Sequence, residues 1–364
     1  MAAALRLAQR GLGRTWPNPS VGALVVDDSG RVLGAARTAD GGRPHAEPIA
    51  LDQAAEMAVG ATLYVTLEPC AHFGQTPPCT DRIVESGVRR VVCGTVDPDD
   101  RVAGQGLDRL KQAGIEVEVG ILNDMARRAS IGHISRVKLG RPHTLLKMAV
   151  SRDGMIAGAG NRQIGITGQL AGRWVHRMRA QSDAIMVGVG TVLADDPDLT
   201  CRLPGAEQLS PVRVIVDTEV KLPSVSRLAQ SAELTPTWIL AGRTIGSTKC
   251  DERRAALVAL NVRIIDCERN KNGQIDLHDA LSRLADEGIT RLMIEGGAHL
   301  ARSLIDAELV DDIALFSGPD VIGVDGLKAF VDVGPELIVQ NDDYLPTERV
   351  ELERDMLSMY RHKK

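Results

Sequence analysis

Short apolar, β-branched runs punctuate the first third of the chain, with helical patterns between them. Val21 to Val26, Thr62 to Leu67 and Arg90 to Cys93 read as strands, while Glu47 to Met57, a stretch after Cys79 and Leu107 to Gln112 carry helical spacing. Gly114 stops the last helix, and Ile115 to Val119 adds a weaker strand. This alternation predicts an α/β sandwich with a largely shared sheet. Residues 123 to 143 are richer in arginine and lack a clean strand pattern. Gly140-Arg141-Pro142 then punctuates the chain, so the first domain is expected to cover residues 1–142.

A second series follows at once. Its strand candidates are Thr144 to Ala149, Ala184 to Val187, Val212 to Asp217, Thr237 to Ala241, Arg263 to Ile265, Arg291 to Glu295 and Asp312 to Phe316. Helical stretches lie between several of them, notably Ala171 to Ala180 and Leu277 to Asp286. Residues 143–364 therefore predict a mostly parallel sheet wrapped by helices, in which ligands gather at strand carboxyl ends. No internal repeat or low-complexity tract interrupts either series.

Composition narrows the function. A chain of 364 residues is long enough for two cores. Its net charge of -5 and 2% aromatic content offer neither a basic footprint nor stacking platforms for a polynucleotide, so no nucleic-acid partner is expected. Six irregularly spaced cysteines are too sparse for a disulfide scaffold, which points to a reducing cytoplasm. No apolar run approaches the roughly 20 residues of a membrane helix, and no secretory signal opens the chain. Arg6, Arg10 and Arg14 give the N-terminus a superficial look of a transit peptide, but Ala2 to Gln9 reads better as a short folded helix.

The chemistry is concentrated in four residues. His45-Ala46-Glu47 stands 25 residues before Pro69-Cys70, and Cys79 follows in Pro78-Cys79-Thr80. One imidazole and two thiolates form a three-donor set for Zn(II) that leaves a fourth position for water, the arrangement of a catalytic zinc. Glu47 is then placed to move protons without binding the metal. His-x-Glu with Pro-Cys-x-x-Cys is the signature of zinc nucleobase deaminases. Here the cysteines are separated by eight residues, Ala71 to Pro78, which must form a loop before the second thiol opens a helix. A structural zinc is the competing reading, and His72 is the nearby residue able to complete it.

In the second half, Gly296-Gly297 follows an apolar strand and opens the helical pattern Ala298 to Ile305, where backbone amides favour phosphate. Gly188-Val189-Gly190 is only a fragment of a dinucleotide fingerprint, and a lone Gly-x-Gly is commonly a simple turn. Arg179 and Arg202 offer fork geometry for a phosphate, or else are solvated surface charges.

Larger motifs extend over nearly the whole chain. They include Pro17-Asn18-Pro19-Ser20-Val21-Gly22, the segment Leu67 to Cys79, Lys147-Met148-Ala149-Val150-Ser151-Arg152-Asp153-Gly154, Arg179-Ala180-Gln181-Ser182-Asp183, Thr191 to Pro197, Leu199-Thr200-Cys201-Arg202 and Glu295-Gly296-Gly297. Through them the chain closely resembles the bifunctional riboflavin-biosynthesis deaminase/reductase family, in which the long Cys-x8-Cys loop is typical. The resemblance implies an α/β protein with an N-terminal cytidine-deaminase-like α/β/α sandwich followed by a dihydrofolate-reductase-like α/β domain. The first domain would deaminate 2,5-diamino-6-(5-phosphoribosylamino)pyrimidin-4-one, with His45, Cys70 and Cys79 on Zn(II), Glu47 as the catalytic residue and Asn18 on the pyrimidine. The second would use NADPH to reduce the ribosyl side chain to ribityl.

By position, the resemblance places Ala149, Gly165, Thr191, Asp195, Thr218 and the run Gly297, Ala298, His299, Leu300, Ala301, Arg302 and Ser303 along the cofactor. Arg179, Leu199, Arg202 and Glu295 would hold the substrate, a phosphorylated small molecule. It also implies self-association through the reductase half. The chain departs from the family pattern at Gln75, where a basic residue is common, at Arg152, where leucine is usual, and at Gly165, in place of tryptophan. Residues 123 to 138 match poorly. Two other readings remain open: a deaminase of another nucleotide with a binding-only second domain, and a non-catalytic nucleotide-binding protein with a structural zinc.

Overall fold

The computed structural model describes residues 1–100, 102–162, 164–243 and 248–363. It divides into two compact units, Met1–His143 with Glu287–Thr290, and Thr144–Asp286 with Arg291–Lys364.

In the first unit, β1 (Gly22–Val26), β2 (Val32–Arg37), β3 (Thr62–Val65), β4 (Arg90–Cys93) and β5 (Glu116–Val119) form one sheet in the order β2-β1-β3-β4-β5. β1 runs antiparallel to both neighbours, while β3, β4 and β5 are parallel. The parallel strands need crossover helices. These are α3 (Cys79–Glu85) and α4 (Gln105–Gln112), alongside α1 (Ala2–Arg10) and α2 (Ala46–Ala54). Leu51, Leu63, Ile83 and Leu110 are buried to 1% exposure or less, each worth about 1.5–3 kcal/mol of apolar burial.

The differences from the sequence expectation have local causes. The helix expected over Glu47 to Met57 breaks after Ala54, where Ala55 takes a positive φ of 48°, and continues as a 3-10 helix over Ala55–Ala58. The arginine-rich stretch after residue 122 folds as α5 (Asn123–Ala129) and α6 (Ile131–Leu139). Strand β2 carries Gly and Ala where β-branched residues usually announce a strand. The reason is close packing: a Cβ on Gly34 would stand 2.0 Å from the Ala50 carbonyl oxygen of α2. The N-terminal segment is a packed helix, with Ala4, Leu5 and Ala8 buried.

The second unit contains β6 (His143–Val150), β7 (Met155–Ala157), α7 (Gln169–Ala180), β8 (Ala184–Gly188), α8 (Val189–Asp195), β9 (Val212–Val216), α9 (Arg227–Gln230), β10 (Thr237–Gly242) and α10 (Thr248–Val258). There follow β11 (Arg263–Cys267), α11 (Leu277–Asp286), β12 (Arg291–Glu295), α12 (Ala298–Asp306), β13 (Asp312–Ser317), β14 (Leu327–Lys328), α13 (Glu336–Val339), β15 (Tyr344–Leu352) and β16 (Asp355–His362). Its main sheet has the order β11-β10-β9-β8-β12-β6-β13-β16-β15. β8 to β11 run parallel in succession, as do the pairs β8–β12 and β6–β13, whereas the β15–β16 hairpin is antiparallel and pairs antiparallel with β13. The chain leaves β6 for β8 and later returns to fill the place between them with β12. Such a switch in strand order opens a crevice at the carboxyl ends. Among the described residues, no helix is long and apolar enough to cross a membrane.

Candidate active sites

In the first unit three elements converge. His45 is the N-cap of α2, Glu47 lies in its first turn, Cys79 is the first residue of α3, and Cys70 sits in the loop after β3. The His45 Nδ1 atom is 3.3 Å from Cys79 Sγ and 3.7 Å from Cys70 Sγ. Ligand atoms of the three residues all lie within 4.8 Å of one another. The Cys79 backbone N–H donates to Cys70 Sγ at 3.3 Å, so the amide end of α3 favours a thiolate there. Among the described residues no fourth donor joins the trio, and His72 lies exposed outside it.

The electrostatics suit a divalent cation. The hydrogen bond from the neighbouring Cys79 thiol, with support from His45 and the Cys79 amide, brings the Cys70 thiol down to about 4. The same hydrogen bond, together with burial, drives Cys79 the other way. Two thiolates this close repel unless a cation lies between them, and Zn(II) with two sulfur donors and one nitrogen donor fits. Glu47 is 3% exposed, and its Oε2 has no hydrogen-bond partner. Burial pushes its carboxyl above the ordinary range. A buried, unpaired carboxylate oxygen beside a donor trio is a costly arrangement that a reacting ligand relieves.

Supporting residues fix this geometry. Asn18 Nδ2 donates to the Gly42 carbonyl at 2.8 Å, which leaves its Oδ1 for a ligand. The buried Glu68 carboxylate accepts from the backbone N–H groups of Asp97, Gly104 and Gly106. Gly106 thereby approaches so closely that a Cβ there would stand 2.1 Å from the Pro69 carbonyl oxygen, next to Cys70. Gly106→Ala is expected to cost about 1–3 kcal/mol through overpacking and to weaken zinc retention. A melting curve together with metal content after dialysis checks both effects.

The second unit holds a cleft of about 1280 Å³ at the carboxyl ends of β6, β8 and β12. That exceeds the roughly 300–1,000 Å³ of an ordinary ligand pocket and suits two ligands side by side. Of the residues expected along a cofactor, Ala149, Gly165, Thr191, Asp195, Gly297, Ala298, His299 and Leu300 line it. Thr218 and the second turn of α12 do not. Ala301 is buried against the sheet, Arg302 pairs with Asp306 at 2.8 Å, and Ser303 is exposed. Gly297 is the N-cap of α12 with no capping side chain, so first-turn amides remain for an anion. Gly165 and Gly190 have nothing within 4 Å of where a Cβ would be. Arg152, by contrast, lies exposed and outside the cleft lining.

Arg179, Leu199, Arg202 and Glu295 also line the cleft. The fork of Arg179, however, closes on Glu295: Nε donates to Oε1 at 2.6 Å and Nη2 to Oε2 at 2.9 Å, while Nη1 donates to the Thr200 carbonyl. It is thus a carboxylate clamp, whereas Arg202 is exposed in the cleft lining and has no ion-pair partner among the described residues. Burial opposes charge on Glu295, but Arg179 holds its carboxyl below the ordinary range. Lys147, at an alternating position on β6, is a lining residue given no separate role from sequence. Burial depresses its ammonium, and Glu295 partly offsets that effect. The signal is a lysine within the apolar stretch Leu145 to Val150 of β6, but the charge that acts on it, Glu295, stands on β12.

The fold and the zinc trio define a zinc-type nucleobase deaminase joined to a reductase-class domain. Residues 1–95 match the cytidine and deoxycytidylate deaminase zinc-binding region, and residues 142–344 match the RibD C-terminal domain. The chain belongs to the RibD family of bifunctional riboflavin-biosynthesis deaminase/reductases. It is 38% identical to riboflavin biosynthesis protein RibD of Aquifex aeolicus over 89% of this chain and 87% of that protein. With its Escherichia coli counterpart it shares 39% identity over 89% of this chain and 88% of the other. The solved structure of Acinetobacter baumannii RibD superposes with a TM-score of 0.85 at 34% identity, covering 100% of this chain and 97% of that one. A Thermotoga maritima structure described as a diaminohydroxyphosphoribosylaminopyrimidine deaminase/5-amino-6-(5-phosphoribosylamino)uracil reductase superposes with a TM-score of 0.83 at 33% identity, with the same coverage.

Proposed function

We propose that residues 1–142 remove the 2-amino group of 2,5-diamino-6-(5-phosphoribosylamino)pyrimidin-4-one as ammonia. Residues 143–364 then reduce the ribosyl group with NADPH, giving 5-amino-6-(5-phosphoribitylamino)uracil. The observation that carries the reading is the trio His45, Cys70 and Cys79 with the buried Glu47 beside it, its Oε2 without a hydrogen-bond partner. A structural zinc has no use for such a carboxylate.

Zinc held by the trio supplies a Lewis acid that activates water at neutral pH. Glu47 accepts a proton from the attacking water at its carboxylate and passes it to the ring nitrogen, then takes the remaining proton of the hydroxyl now on the ring carbon and delivers it to the departing amine. Its burial keeps both protonation states within reach. Asn18 orients the pyrimidine through Oδ1.

In the second unit NADPH supplies hydride, and the open cleft with its glycines and the α12 amides supports its binding there. Lys147 Nζ holds the proton that the ribosyl ring oxygen must gain as the ring opens. The Arg179–Glu295 pair fixes the charge around it. Arg202 and Leu199 hold the rest of the substrate.

The test is ammonia release from the ribotide followed by NADPH oxidation on the deaminated product. Lys147→Met is expected to lower NADPH oxidation by roughly 10²–10⁴-fold while ammonia release persists. Because the Lys147 pKa is depressed, the protonated form is lost early as pH rises. The reductase rate should therefore fall before the ordinary lysine range near pH ~10.4. Ammonia release without any NADPH oxidation by the unaltered protein would favour a binding-only second domain. A cytoplasmic location belongs to the same reading, in keeping with six cysteines that form no disulfide. So does self-association through the reductase unit, where β15 at the sheet edge exposes Leu345.

A further inference from the structure

Arg43 stands two residues before the ligand His45 and directly after Gly42, the glycine that holds Asn18. It reaches across to the loop between the two cysteines, where its Nη1 donates to Thr76 Oγ1 at 2.6 Å and its Nη2 lies 3.6 Å from where a Cβ on Gly74 would be. Arg14 and Arg37 both pair with Asp40, three residues before Arg43 in the chain. Among the described residues no carboxylate lies within ion-pair distance of Arg43. The loop it meets, Ala71 to Pro78, contains no lysine or arginine. One hydrogen bond to Thr76 leaves most of the five guanidinium N–H donors available.

The phosphate ester on the substrate's ribosyl group calls for a local cation in a protein whose net charge is -5. With Asn18 on the ring and His45 on the metal, the ribosyl spacer carries the phosphate outward to the rim that Arg43 and the cysteine loop share. We propose that Arg43 is the phosphate-binding residue of the deaminase site, supplying from the His45 segment the positive charge that position 75 lacks. The inference rests on the deaminase reading of this unit. The fork geometry suits two phosphate oxygens at once, and Thr76 preorients the guanidinium for them.

Arg43→Ala tests it in the zinc-loaded full chain, with kcat/KM for ammonia release measured on the ribotide and on its dephosphorylated nucleoside. The ratio of the two values is expected to fall roughly ten- to hundredfold, chiefly through KM for the ribotide, as for loss of a charge-assisted hydrogen-bond pair. An unchanged ratio overturns the proposal. An equal loss on both substrates overturns it too, because Arg43 would then merely support His45. Calorimetric titration of the ribotide into the zinc-loaded Glu47→Gln chain, with and without R43A, reads binding with turnover suppressed: weakening of one class of sites on adding R43A supports the role, and identical isotherms reject it. A wild-type chain that binds zinc but releases no ammonia would thus count against the deaminase reading, while the titration still decides on Arg43.

Discussion

Glu47→Gln is expected to reduce ammonia release by roughly 10²–10⁴-fold, the usual contribution of a positioned general acid–base group, while bound zinc stays at its wild-type level. The amide keeps the size of the carboxyl and adds no charge, so neither α2 nor the donor trio has cause to move. What disappears is the ability to accept and return a proton at a site with 3% exposure, where no bulk water substitutes for it. Burial already strains the ionised form of Glu47, and its Oε2 lacks a partner, so folding itself should not suffer and the melting temperature should hold or rise. Ammonia production, metal content and a melting curve on the same preparation separate these effects. A variant that retains both zinc and full activity would remove Glu47 from the mechanism.

The second large effect concerns the Arg179–Glu295 clamp. Their side chains are 10% and 13% exposed. Arg179→Met leaves a carboxylate buried without its counter-ion, a change that costs about 3–5 kcal/mol when one member of a buried pair is removed. The double variant Arg179→Met with Glu295→Met removes both charges. It should be markedly more stable than the single one, because the desolvation of the stranded charge goes with it. Chemical denaturation followed through the second unit measures both. Equal stability of the single and double variants would mean that the clamp is solvated in solution. Both variants should also lose NADPH oxidation, since Lys147 then sits in an altered field.

Much of this architecture is legible in the chain alone. Arg90 to Cys93, Arg291 to Glu295 and Leu277 to Asp286 have the bounds expected, because fully buried strands and amphipathic helices write their burial into consecutive residues. The β15–β16 hairpin escaped notice because its segment Pro346 to Glu351 is largely exposed and polar, so no apolar alternation marks it. The two helices after residue 122 escaped because they bury small residues, Ala126, Ala129, Gly132 and Ser135, rather than a stripe of large ones. The zinc trio was readable because donor chemistry and spacing restrict it. The clamp was not: Arg179 and Glu295 are 116 positions apart, and only the insertion of β12 between β8 and β6 brings them together. Read alone, Arg179 is a fork awaiting a phosphate, whereas in the fold the fork is closed.

The loop from Ala71 to Pro78 is tied at its neck. Cys79 donates its amide to Cys70 Sγ, and Thr80 N–H donates to the Cys70 carbonyl at 3.2 Å. Both ties use backbone donors at the start of α3 and neither depends on any side chain within the loop, while Glu68 and Gly106 secure Cys70 from the other side. The exposed residues His72 to Pro77 therefore take no part in holding the metal's ligands, unlike the buried Pro78 that caps α3. Exchange of that surface segment would alter what the rim of the site admits while leaving the metal's ligands in place.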